Sequence, residues 1–526
     1  MKSARNNLAI VAAVSLIAVI TFSLWLWSPG RDSLQPRVPG TDSAPGTSGE
    51  SANPVLAGKL IPGPGTAAAL TGAWPQFRGP NRDGISFISP SEGERAGVRG
   101  FLFSRDRKTS PPRELWSLDV GEGYAGVAIR AGRVYLLDYD RDAKQSALRC
   151  LSLADGKEIW RFSYPLTIKR NHGMTRTMPS VTEKFVVALD SKCNVFCLDA
   201  TTGELKWSAS LVNEFGATIP EWYAGQCPLV DGDKVILAPG GKNALLVALD
   251  LATGKPLWQS PNPHEWKMTH SSIMPMDFAG RRHYVYCASK GVVGVDATNG
   301  KQLWETADWK ISIATVPSPV PLPDGRIFLT GGYNAGSLML QLASDNSTNR
   351  SAGLRPGVIP SSPPNAPGQE TGAPSTHTED AHSSSLSPSE GERAGVRGFS
   401  PRPLFKLPAD VFGATQHTPI LKDNHLYGIR ADGRFVCLGL DGKVVWSSGS
   451  GENFGLGSFL MAGDLIYVLN DSGQLSLIEA TPTRFNLLGQ IQPLTGRESW
   501  APMALANGRL ILRDLTRLVC LDVTTK

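Results

Sequence analysis

Five times the chain places a glycine four residues ahead of a tryptophan: ADGKEIW (Ala154–Trp160), TTGELKW (Thr201–Trp207), ATGKPLW (Ala252–Trp258), TNGKQLW (Thr298–Trp304) and LDGKVVW (Leu440–Trp446). In three copies an aspartate (Asp199, Asp250, Asp296) stands four residues before the glycine. Each copy reads as a hairpin. The glycine supplies the positive φ of a tight turn, and the following strand carries a large apolar ring. Upstream of these turns lies a second series of short apolar strands, starting at Val134, Val186, Val235, Val285, Ile327, Leu426, Ile466 and Leu510. Their starts are 40 to 52 residues apart, except for one interval of 99 between Ile327 and Leu426. That exception is one period plus an insertion of about 55 residues, since a unit of four short antiparallel strands per ~40–50 residues is a propeller blade.

Eight such strands predict an all-β fold, an eight-bladed β-propeller of four-stranded antiparallel blades, spanning 74–526. The two ends of the chain fit that count. The last unit stops at Lys526 without an outer strand, and PPRELWSLDVG (Pro111–Gly121) supplies a tryptophan strand with no blade before it. Pairing them closes the ring and leaves no open sheet edge.

Other segments lie outside this pattern. Leu8–Trp27 is twenty residues without a charge, preceded by Lys2 and Arg5. At about 1.5 Å per residue the run spans a ~30 Å hydrocarbon core, with the positive flank on the cytoplasmic side. A cleaved signal peptide is the rival, but its apolar region is usually about 7–15 residues long and is followed by a small-x-small cleavage site. Residues 1–30 are therefore expected to be a membrane anchor, 31–73 a disordered Pro/Gly-rich tether, and the propeller exported. The string SPSEGERAGVRGF occurs at Ser89–Phe101 and again at Ser387–Phe399. It lacks strand alternation, and its second copy lies in a Ser/Pro/Gly tract of a composition that cannot bury a core. Disordered insertions are expected at about 88–110 and 346–401.

A net charge of +5 with no basic stripe gives no case for nucleic acid. Of seven cysteines, Cys150, Cys197, Cys437 and Cys520 stand at equivalent places in their units, each followed by leucine. Equivalent sites on different blades lie beyond the ~7 Å Cα limit of a disulfide, so none is expected.

The AxDxxTGxxxW pattern, cleanest in LDATTGELKW, resembles the pyrroloquinoline-quinone-like repeat family, which covers quinoprotein alcohol dehydrogenases and the outer-membrane assembly lipoprotein B. WPQFRGPNRDG (Trp74–Gly84) is similar to the opening motif of exported bacterial members. The resemblance implies that Trp116, Trp160, Trp207, Trp258, Trp304 and Trp446 dock each blade on its neighbour, with Phe405 and Leu488 as substitutes. It also implies what a dehydrogenase would need: adjacent cysteines, and a carboxylate, an amide and an aspartate around Ca²⁺. No Cys-Cys pair occurs, no such trio can be assigned, and no haem-attachment motif is found.

Any site is expected in the loops that approach the central channel. These carry His172 and Arg176; Glu221, Trp222, Tyr223 and Gln226; His264, Trp266 and His270; Gln416 and His417; and Trp500. No catalytic residue and no metal ligand is assigned. The expectation is a non-catalytic docking module in the cytoplasmic membrane, with its propeller on the periplasmic side. It would take an envelope protein, peptide or glycan and need no cofactor. The alternative is a dehydrogenase of alcohols or sugars with pyrroloquinoline quinone and Ca²⁺ in the central funnel.

Overall fold

The computed structural model describes residues 53–86, 112–344 and 398–524. The anchor segment Leu8–Trp27, most of the tether and the bulk of both insertions lie outside the described residues. Among the described residues no helix is long and apolar enough to cross a membrane.

The strands form eight antiparallel blades. Blade 1 contains Val127–Arg130, Arg133–Asp140, Gln145–Ser152 and Glu158–Pro165. Blades 2 to 7 follow in chain order at 180–210, 229–259, 274–306, 320–407, 420–447 and 459–491. Blade 8 takes three strands from 504–522 and its fourth from Arg113–Asp119, which pairs antiparallel with Arg517–Asp522. The two ends of the propeller chain thus share one sheet, and that sheet closes the ring. The strands counted from sequence are the second of each blade. The innermost ones are shorter, some only two residues long (Ser180–Val181, Val320–Pro321).

The glycine of each Gly-x-x-x-Trp turn has two roles. Gly156, Gly203, Gly254 and Gly300 have φ between 71° and 79°. Each also lies against the indole of the preceding blade: a Cβ on Gly156 would meet the Trp116 ring at 2.7 Å, one on Gly203 the Trp160 ring at 2.6 Å, and one on Gly254 the Trp207 ring at 2.5 Å. The indole N–H of Trp116 donates to the Leu153 carbonyl (3.1 Å), Trp160 to Thr201 (3.0 Å), Trp207 to Leu251 (2.9 Å) and Trp446 to Thr481 (2.8 Å). Every one of these carbonyls belongs to the next blade. Trp258 lies on Gly300, but its N–H has no partner among the described residues, and neither has that of Trp304.

Register explains the cysteines. Cys150, Cys197, Cys437 and Cys520 lie directly opposite Trp160, Trp207, Trp446 and Trp116, and a bulge follows at each place. A small residue under the indole leaves room for the ring, and in blades 3 and 4 Ala248 and Gly294 do the same. All seven cysteines are free and buried. Phe405 occupies the tryptophan register in blade 5, opposite Met339. In blade 7 that register belongs to Gly489, opposite Leu477, and Leu488 is the bulged residue rather than the substitute expected.

Two boundaries differ from expectation. The tether expected over 31–73 gives way to ordered backbone: Asn53 caps a short 3-10 turn, and Lys59–Pro62 pairs antiparallel with Glu158–Pro165, adding a fifth strand to blade 1. Backbone pairing with the blade edge holds this Pro/Gly-rich stretch in spite of its composition. The second insertion, expected to reach 401, ends earlier, since the strand Phe399–Leu407 pairs with Gly336–Ser344 up to Ser344 opposite Phe399. Phe399, the last residue of the repeated string, is buried between Phe278 and His283.

A funnel floored by the amino-terminal segment

The segment from Trp74 to Ser86 runs across the inner strands. Trp74 exchanges backbone hydrogen bonds with Ile129 of blade 1, Val181 of blade 2 donates to the Pro75 carbonyl, and Ile85–Ser86 pairs parallel with blade 7 at Met461–Ala462. Its two arginines fix the crossing. Arg78 donates to the carbonyls of Thr418 (2.6 Å), Pro419 (2.9 Å), Asp83 (2.8 Å) and Arg82 (3.0 Å). Arg82, fully buried, reaches Gln76 and the Pro228 carbonyl beside blade 3. Burial pushes both guanidiniums down to about 10.

Above this floor the loops that lead into the innermost strands enclose a cavity of about 430 Å³. Seven of the twelve residues singled out in the sequence line it: His172, Arg176, Trp222 and His270 from blades 2 to 4, with Gln416, His417 and Trp500 from blades 6 and 8. The other five do not. The Gln226 amide pairs both ways with the backbone of Ala238, which pins the second strand of blade 3. Trp266 is buried between blades 3 and 4, and His264 stacks on it and bonds Glu305 at 2.9 Å. The Tyr223 hydroxyl bonds the backbone of Lys169, and Glu221 is exposed with its carbonyl held by Asn171. The sequence reading missed Trp74, Phe77 and Arg78 in the floor, and Tyr124, Tyr333 and Phe459 in the wall. Trp74 and Arg78 belong to the motif already singled out, so a signal existed, but it did not say where the segment runs.

One side of the cavity is an aromatic stack. Tyr124 lies against Trp500 with ring centroids 5.1 Å apart, and the Arg176 guanidinium stands 5.6 Å over the other partner, Tyr124. The Tyr124 hydroxyl donates to Glu498, and the Trp500 N–H to Asp471 at 2.7 Å. Burial, followed by the bond to Glu498, holds the Tyr124 phenol well above its ordinary range. Arg176 donates to the carbonyls of Gly173 (2.8 Å) and Asn171 (2.9 Å), and burial pushes it down to about 10. Across the cavity, His417 bonds the Gly457 carbonyl through Nε2 at 2.5 Å. Burial pushes His417 and His270 down to about 4, so both rings are neutral at pH 7.

Among the described residues no aspartate or glutamate side chain lines the cavity. Among the described residues no group of three or more His, Cys, Asp or Glu is placed to hold a metal ion. The set that a calcium-assisted quinone asks for, a carboxylate with an amide and an aspartate beside adjacent cysteines, therefore does not fit this lining.

The sequence model of the outer membrane protein assembly factor BamB family matches residues 143–346. Among solved structures, the chain resembles BamB from Moraxella catarrhalis at 12% identity, covering 78% of this chain and 99% of that one, with a TM-score of 0.48. It also resembles a europium-containing methanol dehydrogenase at 13% identity, covering 84% and 89%, with a TM-score of 0.50. A quinohaemoprotein alcohol dehydrogenase from Pseudomonas putida HK5 is similar at 10% identity, covering 86% and 81%, with a TM-score of 0.48. No curated protein sequence matches the chain. The chain thus has an eight-bladed propeller fold and, over residues 143–346, a sequence similar to the pyrroloquinoline-quinone-like repeats of the BamB family.

Proposed function

We propose that this propeller is a non-catalytic binding module of the cell envelope and that the funnel is its binding site. The observation that supports this most is the lining: aromatic walls, a floor closed by the chain's own segment, and no carboxylate side chain. Aromatic rings around a few directed polar groups suit recognition. Metal-assisted chemistry needs a cluster of ligands at the same place, and none is formed among the described residues. In this reading, residues 8–27 hold the chain in the cytoplasmic membrane with the propeller on the periplasmic side, and the partner is an envelope protein, peptide or glycan. Neither pyrroloquinoline quinone nor Ca²⁺ takes part. The BamB family is named for outer membrane protein assembly, and a protein partner in the envelope agrees with that name.

The test is reconstitution. Purified protein is incubated with pyrroloquinoline quinone and Ca²⁺, and then assayed with a dye acceptor against a panel of alcohols and sugars. No quinone-dependent dye reduction is expected. Dye reduction that requires the added quinone overturns the reading.

A further inference from the structure

We infer that the funnel takes the ring of a carboxylated sugar, a hexuronate, with its carboxylate on Arg176, its hydroxyls on His270 and His417, and its ring face on the aromatic wall. This names a ligand class for the binding module and rests on that reading.

Three separate features define the class. The first is charge. The Arg78 guanidinium, the other cation of the inner cavity, is fully engaged with four backbone carbonyls. Arg176 gives two of its N–H groups to carbonyls and has no carboxylate within ion-pair distance among the described residues. A largely buried cation facing an acid-free cavity is unfavourable until an anion meets it. Guanidinium also presents paired donors that match a carboxylate.

The second feature is hydrogen-bond polarity. A carbonyl only accepts, so the contact to Gly457 places the His417 proton on Nε2 and leaves Nδ1 as an acceptor. His417 is 7% exposed, and its Nδ1 has no partner among the described residues. His270 Nε2 is likewise buried without a partner among the described residues. Two bare ring nitrogens, one of them fixed as an acceptor, call for hydrogen-bonding groups from the ligand, and hydroxyls, which both donate and accept, supply them. A fatty acid or an aromatic acid has the charge but not these donors, and a neutral sugar has the donors but not the charge.

The third feature is the wall. Trp222 and Trp500 offer ring faces whose negative quadrupole attracts the C–H face of a sugar ring. A volume of about 430 Å³ falls within the roughly 300–1,000 Å³ of small-molecule sites.

Tryptophan emission of the full-length protein, titrated with D-galacturonate and D-glucuronate, reads binding directly. One or both should give saturable change, with D-galactose, D-glucose and benzoate about tenfold weaker or more. Arg176→Gln should weaken uronate binding about tenfold or more and bring it down to the neutral-sugar level. Since Arg176 also holds two loop carbonyls, Trp222→Ala serves as a second variant, and its uronate affinity should fall as well. The inference is overturned if neither uronate saturates below about 10 mM, if benzoate or the neutral sugars bind equally well, or if both variants bind like the wild type. Quinone-dependent dye reduction would remove the binding-module reading itself. Without dye reduction, a failed uronate titration removes only the ligand assignment.

Discussion

Replacing Gly254 by alanine puts a methyl group where the Trp207 indole lies. The built Cβ would stand 2.5 Å from Cδ2 and 2.7 Å from Cε3 of that ring, at a φ of 72°. Left-handed backbone costs a non-glycine residue about 1–2 kcal/mol, and forcing a methyl into packed surroundings costs typically ~1–3 kcal/mol. Reduced freedom of the unfolded chain returns roughly 0.4–1 kcal/mol, which leaves a net loss of about 2–4 kcal/mol. With unfolding entropy near 2.1 cal/mol/K per residue over roughly 400 ordered residues, that loss lowers Tm by about 2–5 °C. The control is Gly280→Ala, where φ is 75° but no atom lies within 4 Å of the added Cβ. It meets the backbone term alone, so Tm should fall by about 2 °C or less. Calorimetric scans of both variants, with Trp207→Ala alone and Gly254→Ala combined with Trp207→Ala, complete a cycle that isolates the Gly–Trp contact. Equal losses for Gly254→Ala and Gly280→Ala, or an undiminished Gly254→Ala loss once the indole is removed, would refute blade docking through this glycine.

Three further outcomes follow from the geometry. Trp207→Phe removes a hydrogen bond to the next blade and should cost about 1 kcal/mol more than Trp304→Phe, whose indole N–H has no partner; denaturant midpoints compare the two. His417 is held near 4 when folded, below its ordinary 6.5. Its contribution to stability is therefore complete above pH 6.5 and is lost as pH falls from 6.5 towards 4, by up to roughly 2–3 kcal/mol. The stability–pH slope of His417→Asn over that window should be shallower than that of the wild type. Burial pushes the thiols of Cys150, Cys197, Cys287 and Cys520 up to about 12. A thiol reagent at pH 8 should accordingly leave native protein unreacted and find seven groups in guanidinium.

The blade count and the ring closure were legible because each Gly-x-x-x-Trp unit carries its turn and its anchor locally. The orphan strand at Trp116 and the incomplete unit at Cys520 needed only to be paired. The innermost strands escaped notice because two or three residues, as in Ser180–Val181, show no periodicity. Lys59–Pro62 was hidden by Pro/Gly composition, since what orders it is the edge of Glu158–Pro165, about a hundred residues away in sequence. The funnel was half legible. Loops leading into the inner strands were the right place to look, but residue type could not separate Trp222, which lines the cavity, from Trp266, which fills the core between blades. The floor was least legible, because carbonyls such as Thr418 and Pro228 fix the path of Arg78 and Arg82, and carbonyls leave no mark in a sequence.

A crystal structure of the protein soaked with D-galacturonate tests the central claim most directly. The account predicts a ring against Trp222 or Trp500, its carboxylate within about 3 Å of Arg176 and a hydroxyl on His417 Nδ1. A saturated crystal with the sugar bound elsewhere, or with the funnel filled by a side chain of this protein, would contradict it.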